Sequence, residues 1–405
     1  SSLYSKSPVR LLLNSVGMGA ARNPGSGDRP FTRPSEYSAM PDDTVFLTGF
    51  PGFLGSELVD RLLGRGEHVT CLVQAKYRDL AEDRRDELER EHGVEDRIAL
   101  VGGDIVDPDL GLPDSGEHGY DALAASAREV YHLAAVYDLG VDRDLATRVN
   151  VDGTEHVLDF CRACEALDRL HYVSTCYVSG RYPGLFTEEM LVEGQSFNNH
   201  YESTKFLAEV AVQDAMDEGL PATIYRPAIA VGDSETGATD KYDGPYHVVR
   251  YFLDAPGIAV VPEFGDPGAV EVNVVPRDFV VDAIDAISAR EDTVGEVYQL
   301  ADPDPPSVAE MQATFAAAAN VWTVTVPFSK SAFQWLLREV DAFREWTNID
   351  PAVVDYFTHP TRYDTTNARR VLDDEGVECP EFSEYAPRLV DYVRNHPHVG
   401  SDAMA

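Results

Sequence analysis

Tyr201 and Lys205 stand four residues apart in the stretch Tyr201-Glu202-Ser203-Thr204-Lys205, and Thr175 precedes the tyrosine. On a helix, residues four apart share a face about one turn from each other. An ammonium held there favours the ionised phenol and lowers a reference pKa of about 10 toward neutrality. A phenol tuned in this way gives a proton to a carbonyl oxygen, or takes one from it, near pH 7. The Thr175 hydroxyl could hold the same oxygen and stabilise charge developing on it. A Tyr-x-x-x-Lys spacing alone is most often a buried ring beside a solvated lysine, so its weight depends on what positions it.

The positioning elements begin near residue 44. Residues 44–48 read Thr-Val-Phe-Leu-Thr, a short strand rich in β-branched residues. Gly49-Phe50-Pro51-Gly52-Phe53-Leu54-Gly55 follows, then a helical run from Ser56 to Leu63 and a second strand from His68 to Val73. Glycines at this turn allow close approach of the backbone to a diphosphate, and the helix start offers free N–H groups to it. Further strands are predicted at 97–101, 129–133, 170–174 and 222–226, alternating with helices. That alternation is the pattern of a parallel sheet covered on both faces.

These segments together resemble the extended short-chain dehydrogenase/reductase superfamily over roughly residues 42–300. The Gly49-x-x-Gly52-x-x-Gly55 spacing matches its extended branch. Gly103-Asp104-Ile105 resembles the adenine-contacting segment, and His132-Leu133-Ala134-Ala135 the segment beneath the cofactor. Asn150-Val151-Asp152-Gly153-Thr154 resembles the family's N-V-x-G-T motif. Tyr172-Val173-Ser174-Thr175 ends the fifth strand, and Arg226-Pro227-Ala228 resembles the segment against the nicotinamide. The resemblance implies an α/β fold, a Rossmann-type doubly wound parallel sheet with a smaller C-terminal substrate lobe. It implies Thr175, Tyr201 and Lys205 as the catalytic triad. The cofactor-binding set would be Gly49, Phe50, Pro51, Gly52, Phe53, Leu54, Gly55, Asp104, Ile105, Ala134, Ala135, Asn150, Tyr201, Lys205, Pro227 and Ala228. Ser174 would point to the opposite face of the strand from Thr175, because side chains alternate.

Cofactor choice turns on the end of the second strand. An NAD-preferring site places Asp or Glu there to hold the ribose hydroxyls. Here Val73-Gln74-Ala75-Lys76 has no acid, and Lys76 and Arg78 add cations, which favours a 2′-phosphate and hence NADP(H) over NAD(H). Gln74 stands where phosphate-binding relatives carry Arg.

Composition excludes several classes. Asp and Glu number 70 against 33 Lys and Arg, for a formal net charge of −37, and the lysines are Lys6, Lys76, Lys205, Lys241 and Lys330. So acidic a chain repels itself at low ionic strength and gains from screening by salt. Because the acids are spread along the chain, they predict a salt-adapted, halophilic protein. Nucleic acid is excluded as a partner, since phosphate backbones require a basic patch. No apolar run reaches the length of a membrane span. Cys71, Cys161, Cys164, Cys176 and Cys379 are scattered, which suits a reducing cytoplasm. Cys161-Arg162-Ala163-Cys164 sits in a helical pattern with no second pair, so the cysteines are read as packing residues and no metal is expected.

Three regions are expected. Residues 1–40 carry Ser, Pro, Gly and Arg without periodicity and read as a disordered arm, with Met40 a plausible natural start. Residues 41–300 form the dinucleotide-binding domain, with a loop insertion near 232–270. Residues 301–400 form a mainly helical substrate lobe. Within it Phe333, Leu336, Leu337, Val340 and Phe343 recur at helical spacing, as core or as the wall of an acyl pocket. The family pairs helices into a four-helix bundle, which implies a homodimer through residues 144–166 and 200–218.

Function narrows by the neighbours of Thr175. A sugar-nucleotide dehydratase would carry acids there, whereas Cys176 and Tyr177 follow. A sugar-nucleotide epimerase with tightly held NAD stays open, as does a ketone or aldehyde reductase of the dihydroflavonol or hydroxysteroid type. The segments Tyr172–Gly184 and Val274–Ile284 resemble the fatty acyl-CoA reductase and thioester reductase branch. That resemblance implies hydride reduction of a small-molecule carbonyl or an acyl thioester. A redox sensor or scaffold built on this fold would commonly lack the Tyr or Lys, and both are present.

Overall fold

The computed structural model describes residues 44–116, 118–137, 140–341, 343 and 353–400, and the expected arm at 1–40 lies outside them. The six strands read from the sequence form, with one more, a single parallel sheet. They are β1 (Thr44–Thr48), β2 (Val69–Val73), β3 (Ile98–Gly102), β4 (Ala127–His132), β5 (Arg169–Val173), β6 (Ala222–Pro227) and β7 (Val297–Leu300). Their spatial order is β7-β6-β5-β4-β1-β2-β3, every neighbouring pair parallel. The chain steps outward from β1 to β3, then returns to β4 and steps the other way. A crevice therefore opens at the carboxyl ends of β1 and β4, where such sheets bind ligands.

Strands buried on both faces must carry apolar residues at every position. Along β1, Val45 and Leu47 face one core and Phe46 the other. The first core is covered by α1 (Phe53–Gly64), α2 (Arg78–His92), α7 (Arg277–Ser288) and α10 (Thr366–Glu375). The second is covered by α3 (Tyr120–Ser126), α4 (Gly153–Ala163) and α5 (His200–Asp217). The continuous helix expected over 144–166 is interrupted: a π-helical turn spans Thr147–Asp152 ahead of α4. The insertion falls at Asn150, whose side chain bonds elsewhere while its carbonyl accepts from Thr154 Oγ1 at 2.7 Å. Such turns mark functional positions more often than ordinary helix.

Within 232–270, residues 232–245 are loop, while α6 (Tyr246–Leu253) and a strand at Ile258–Glu263 are regular. A second apolar cluster draws on both the 232–270 segment and the region after residue 300. Val231, Tyr246, Val249, Phe252 and Val261 pack with α8 (Val308–Ala319), α9 (Lys330–Glu339) and α11 (Phe382–Asn395) in one apolar cluster. By contrast, α10 lies in the core of the main sheet, beside β7 and α7. Glu188 fixes it there. That carboxylate accepts from the N–H groups of Asn367 at 2.5 Å, Ala368 at 3.0 Å and Gln299 at 2.9 Å, tying the start of α10 to β7. Burial raises the Glu188 pKa to about 7 against those bonds.

The α9 stripe is core. Phe333 and Leu337 are buried, and the rings of Phe264, Phe328 and Phe343 surround Phe333 at 5.2, 5.7 and 5.5 Å. Trp335, on the other side of the same helix, is 59% exposed. No helix among the described residues is long and apolar enough to cross a membrane. Replacing Leu337 by Ala should cost about 2–5 kcal/mol of unfolding free energy, measured by urea denaturation. Trp335→Ala should stay within about 0.5 kcal/mol of wild type in the same measurement.

Candidate active site

The crevice is a cleft of about 880 Å³. All seven residues Gly49–Gly55 line it. Gly49 has φ +103°, and a Cβ there would sit 2.9 Å from the Ala134 nitrogen. A Cβ on Gly55 would meet the Gly49 carbonyl at 2.4 Å, so both positions require glycine. The Gly52 N–H closes the turn onto the Gly49 carbonyl at 2.8 Å. From Gly52, α1 starts with no side-chain cap and no acid in its first turn. Its first N–H groups and positive dipole end are left for an anion. This cradle fits a dinucleotide diphosphate.

Asp104, Ile105, Ala134, Ala135, Pro227 and Ala228 also line the cleft, with Thr175, Tyr201 and Lys205. Asn150, Lys76 and Arg78 are not on the lining. Asn150 is buried. Its Oδ1 accepts from Val136 N–H at 2.9 Å, and its Nδ2 donates to Thr204 Oγ1 at 3.0 Å, joining the loop after β4 to α5. Arg78 pairs with Glu82 at 2.6 Å and donates to the Leu100 carbonyl, while Lys76 lies 4.9 Å from the Tyr77 ring centre. At that end of the cleft the lining is Gln74, Tyr77, Leu80, Arg84 and Glu87.

The triad comes from two adjoining elements. Thr175 follows β5, and its hydroxyl donates to the Pro227 carbonyl at 3.3 Å. Tyr201 lies in the first turn of α5, set there by Asn199, whose side chain caps the helix by accepting from Glu202 N–H at 2.9 Å. The Tyr137 ring meets the Tyr201 ring edge-on at 4.9 Å. Burial holds the Tyr201 phenol well above its usual range, with hydrogen bonding to Thr175 opposing. This is the reverse of the lowering that the Tyr-x-x-x-Lys spacing predicts: the phenol is buried and Lys205 is not among the groups that shift it, so it keeps its proton at neutral pH.

Lys205 is turned differently from the direct contact that the spacing suggested. Its Nζ donates to Tyr172 Oη at 3.0 Å and to the Val173 carbonyl at 2.8 Å. Burial lowers its pKa to about 7, and the charge of Glu209 opposes that shift. His132, next to Tyr172, bonds Thr48 through Nδ1 at 2.7 Å and Thr154 through Nε2 at 3.1 Å. Burial, helped by the Lys205 charge, lowers the His132 pKa to about 3, so it is a neutral tie between strands.

Glu209 lies one turn beyond Lys205 and is fully buried. Its carboxylate accepts from Arg226 Nη2 at 2.5 Å and Nε at 3.0 Å, from Ser174 Oγ at 2.5 Å and from Gln213 Nε2 at 3.1 Å. Ser174 therefore faces away from the reacting side, as strand alternation implied. Sequence reading missed this cluster, although Tyr201, Lys205 and Glu209 recur every four residues. An arginine inside the apolar strand β6 also demands a buried carboxylate. Among the described residues no group of three His, Cys, Asp or Glu side chains could hold a metal. Cys161 and Cys164 are unpaired, and burial raises both thiols.

A family model described as male sterility protein, an NAD-binding domain, matches residues 47–284. The chain is 29% identical over 394 residues to a linear gramicidin synthase of Brevibacillus parabrevis, covering 92% of this chain and 7% of that protein. To aldehyde reductase lnaA of Aspergillus flavus it is 29% identical over 410 residues, covering 90% of this chain and 37% of the other. The chain thus spans well under half the length of these curated relatives. Among solved structures, the terminal R domain from the myxalamid PKS-NRPS biosynthetic pathway superposes with a TM-score of 0.72 at 26% identity. That match covers 87% of this chain and 91% of that one.

Lys205 supplies a test of the site's electrostatics. Unfolded, it holds its proton to near 10.5; folded, it releases it near 7. Between those values the unfolded state binds the extra proton, so this residue makes unfolding free energy rise with pH. Thermal melts from pH 6.5 to 9 should show wild type gaining stability relative to Lys205→Met. Parallel curves for the two proteins would contradict the shift.

Proposed function

The chain belongs to the male sterility protein family of NAD-binding domains, with the extended short-chain dehydrogenase/reductase fold, and on that premise we propose that it reduces a carbonyl or acyl-thioester group with a nicotinamide cofactor. The observation that carries this reading is the grouping of Thr175, Tyr201 and Lys205 in the cleft that the Gly49–Gly55 turn also lines. The cofactor, when bound, supplies the hydride. Thr175 and Tyr201 hold the carbonyl oxygen, and Tyr201 gives it a proton as negative charge develops there. Lys205 places a charge beneath this pair through Tyr172 and orients the ribose side of the cleft. With a thioester, the tetrahedral adduct expels the sulfur as a thiol and leaves an aldehyde.

Two features favour the acyl substrate. The residues after Thr175 are Cys176, whose thiol is buried against the Arg226 carbonyl, and Tyr177, so no acid stands ready to expel water. Tyr137, Tyr177, Tyr246, Met311, Tyr356 and Phe357 also line the cleft, beside Thr239, Asp240, Lys241 and Asp243. The aromatic part of this wall suits an apolar chain. The relatives named as an aldehyde reductase and a linear gramicidin synthase are consistent with that class.

NADP(H) is the proposed dinucleotide. No carboxylate ends β2, and Gln74 lines the cleft at that position. The cation on the lining there is Arg84, which pairs with Glu87 at 2.6 Å and Glu57 at 3.4 Å.

Incubation with a long-chain acyl-CoA and NADPH should release free thiol in step with NADPH loss. Tyr201→Phe should abolish turnover yet leave dinucleotide affinity within about threefold of wild type, since its hydroxyl acts on the reacting oxygen. Full activity in that variant would overturn the assignment. The KM for NADPH should lie below that for NADH, and the reverse order would assign the protein to NAD(H).

A further inference from the structure

Four cations line the cleft: Arg84, Lys205, Lys241 and Arg277. Three are engaged. Arg84 pairs with Glu87 at 2.6 Å, Lys241 with Asp243 at 2.7 Å, and Lys205 donates to Tyr172 and Val173. Arg277 differs. It is the first residue of α7, largely buried, and its guanidinium lies 5.2 Å from the Phe53 ring centre at the start of α1. Its one ion pair among the described residues is a loose 3.6 Å approach to Glu57, a carboxylate it shares with Arg84. Its buried Nε has no hydrogen-bond partner.

The surrounding acids are directed elsewhere. Asp233, which feels the Arg277 charge, accepts from Thr236 N–H at 2.8 Å, Thr236 Oγ1 at 2.7 Å and Glu235 N–H at 3.1 Å. Asp278, next along α7, accepts from Ser234 N–H and Oγ at 2.8 and 2.5 Å. A largely buried arginine whose one carboxylate is shared with Arg84 and whose Nε has no hydrogen-bond partner is costly. The cost falls if an anion enters the cleft. Planar guanidinium donors match phosphate oxygens two at a time. The Phe53 ring, 5.2 Å away, is within cation–π range and helps hold the guanidinium in place.

We propose that Arg277 is a phosphate-binding residue of this cleft, paired with the uncapped start of α1, and that it takes a phosphate or diphosphate ester. The inference rests on the reductase reading above. The ester has two sources, the diphosphate bridge of the dinucleotide or the phosphates of a coenzyme A-type substrate, and the chemistry of recognition is the same for both.

Direct titration of NADPH by fluorescence, without substrate, comes first. Wild type that binds no dinucleotide would overturn the reductase reading itself. Arg277→Met keeps the stem over Phe53 and removes the charge. If the dinucleotide is the source, that variant should bind NADPH about tenfold or more weakly, with a shallower salt dependence, and Arg277→Lys should recover part of the loss. If the substrate is the source, NADPH affinity holds. In that case KM rises about tenfold for an acyl-CoA while staying level for a phosphate-free aldehyde. Unchanged NADPH affinity together with unchanged acyl-CoA KM, in a variant that melts like wild type, would overturn the role of Arg277 and leave the reductase reading standing.

Discussion

A buried ion pair, Arg226 with Glu209, holds the floor of the site together. Both side chains are fully buried, and the guanidinium also donates to the Met190 and Glu188 carbonyls at 2.9 and 3.3 Å. Through these bonds strand β6, helix α5, the end of β5 at Ser174 and the segment 188–190 share one polar knot. Burying two charges is costly, and mutual attraction offsets that only when the geometry is good and the remaining donors are satisfied. Here the carboxylate accepts from Arg226, Ser174 and Gln213, so the condition is met. Thr175 follows Ser174 directly, and Lys205 precedes Glu209 by one helical turn. The knot therefore sets the relation between the two elements that carry the chemistry.

The same knot shapes the charge of Lys205. Burial disfavours the ammonium, while Glu209 favours it. The net result lies near neutrality, in a lysine whose hydrogen bonds go to Tyr172 and to a backbone carbonyl. Tyr201 keeps its proton because burial outweighs its bond to Thr175. At both residues burial is opposed by one polar partner, Glu209 for Lys205 and Thr175 for Tyr201.

Much of this was legible in the sequence. Six of the seven strands of the main sheet are short apolar runs, so their places could be read to within a residue or two, while Val297–Leu300 was not read as a strand. The glycine turn was legible because its residue type is dictated by the backbone: a Cβ at Gly55 has no room. The grouping of Thr175, Tyr201 and Lys205 in one cleft was legible through spacing, but not the turn of Lys205 toward Tyr172. What escaped were groups whose role depends on distant partners. Asn150 sits in a motif but bonds Val136 and Thr204 rather than lining the cleft. Lys76 and Arg78 follow β2, yet the turn into α2 carries them off the lining and brings Arg84 onto it. Arg277 has no local signal, because its meaning comes from Phe53, more than two hundred residues earlier. Local patterning read 232–270 as a loop insertion and so missed α6, which gains its stability from packing against α8 and α11.

The placement of α10 bears on how the protein is made. That helix, from Thr366 to Glu375, closes the core over β7 and α7, although it follows α8 and α9 in sequence. During synthesis the dinucleotide-binding sheet emerges long before its final cover does. Until then the apolar surface around Ala283, Ile284 and Leu300 waits without Val371 and Leu372. The N–H groups at the start of α10 meet Glu188 only once the chain has passed through α8 and α9 and returned. Completion of the first fold is thereby coupled to completion of the second, and contacts of such long sequence separation form late.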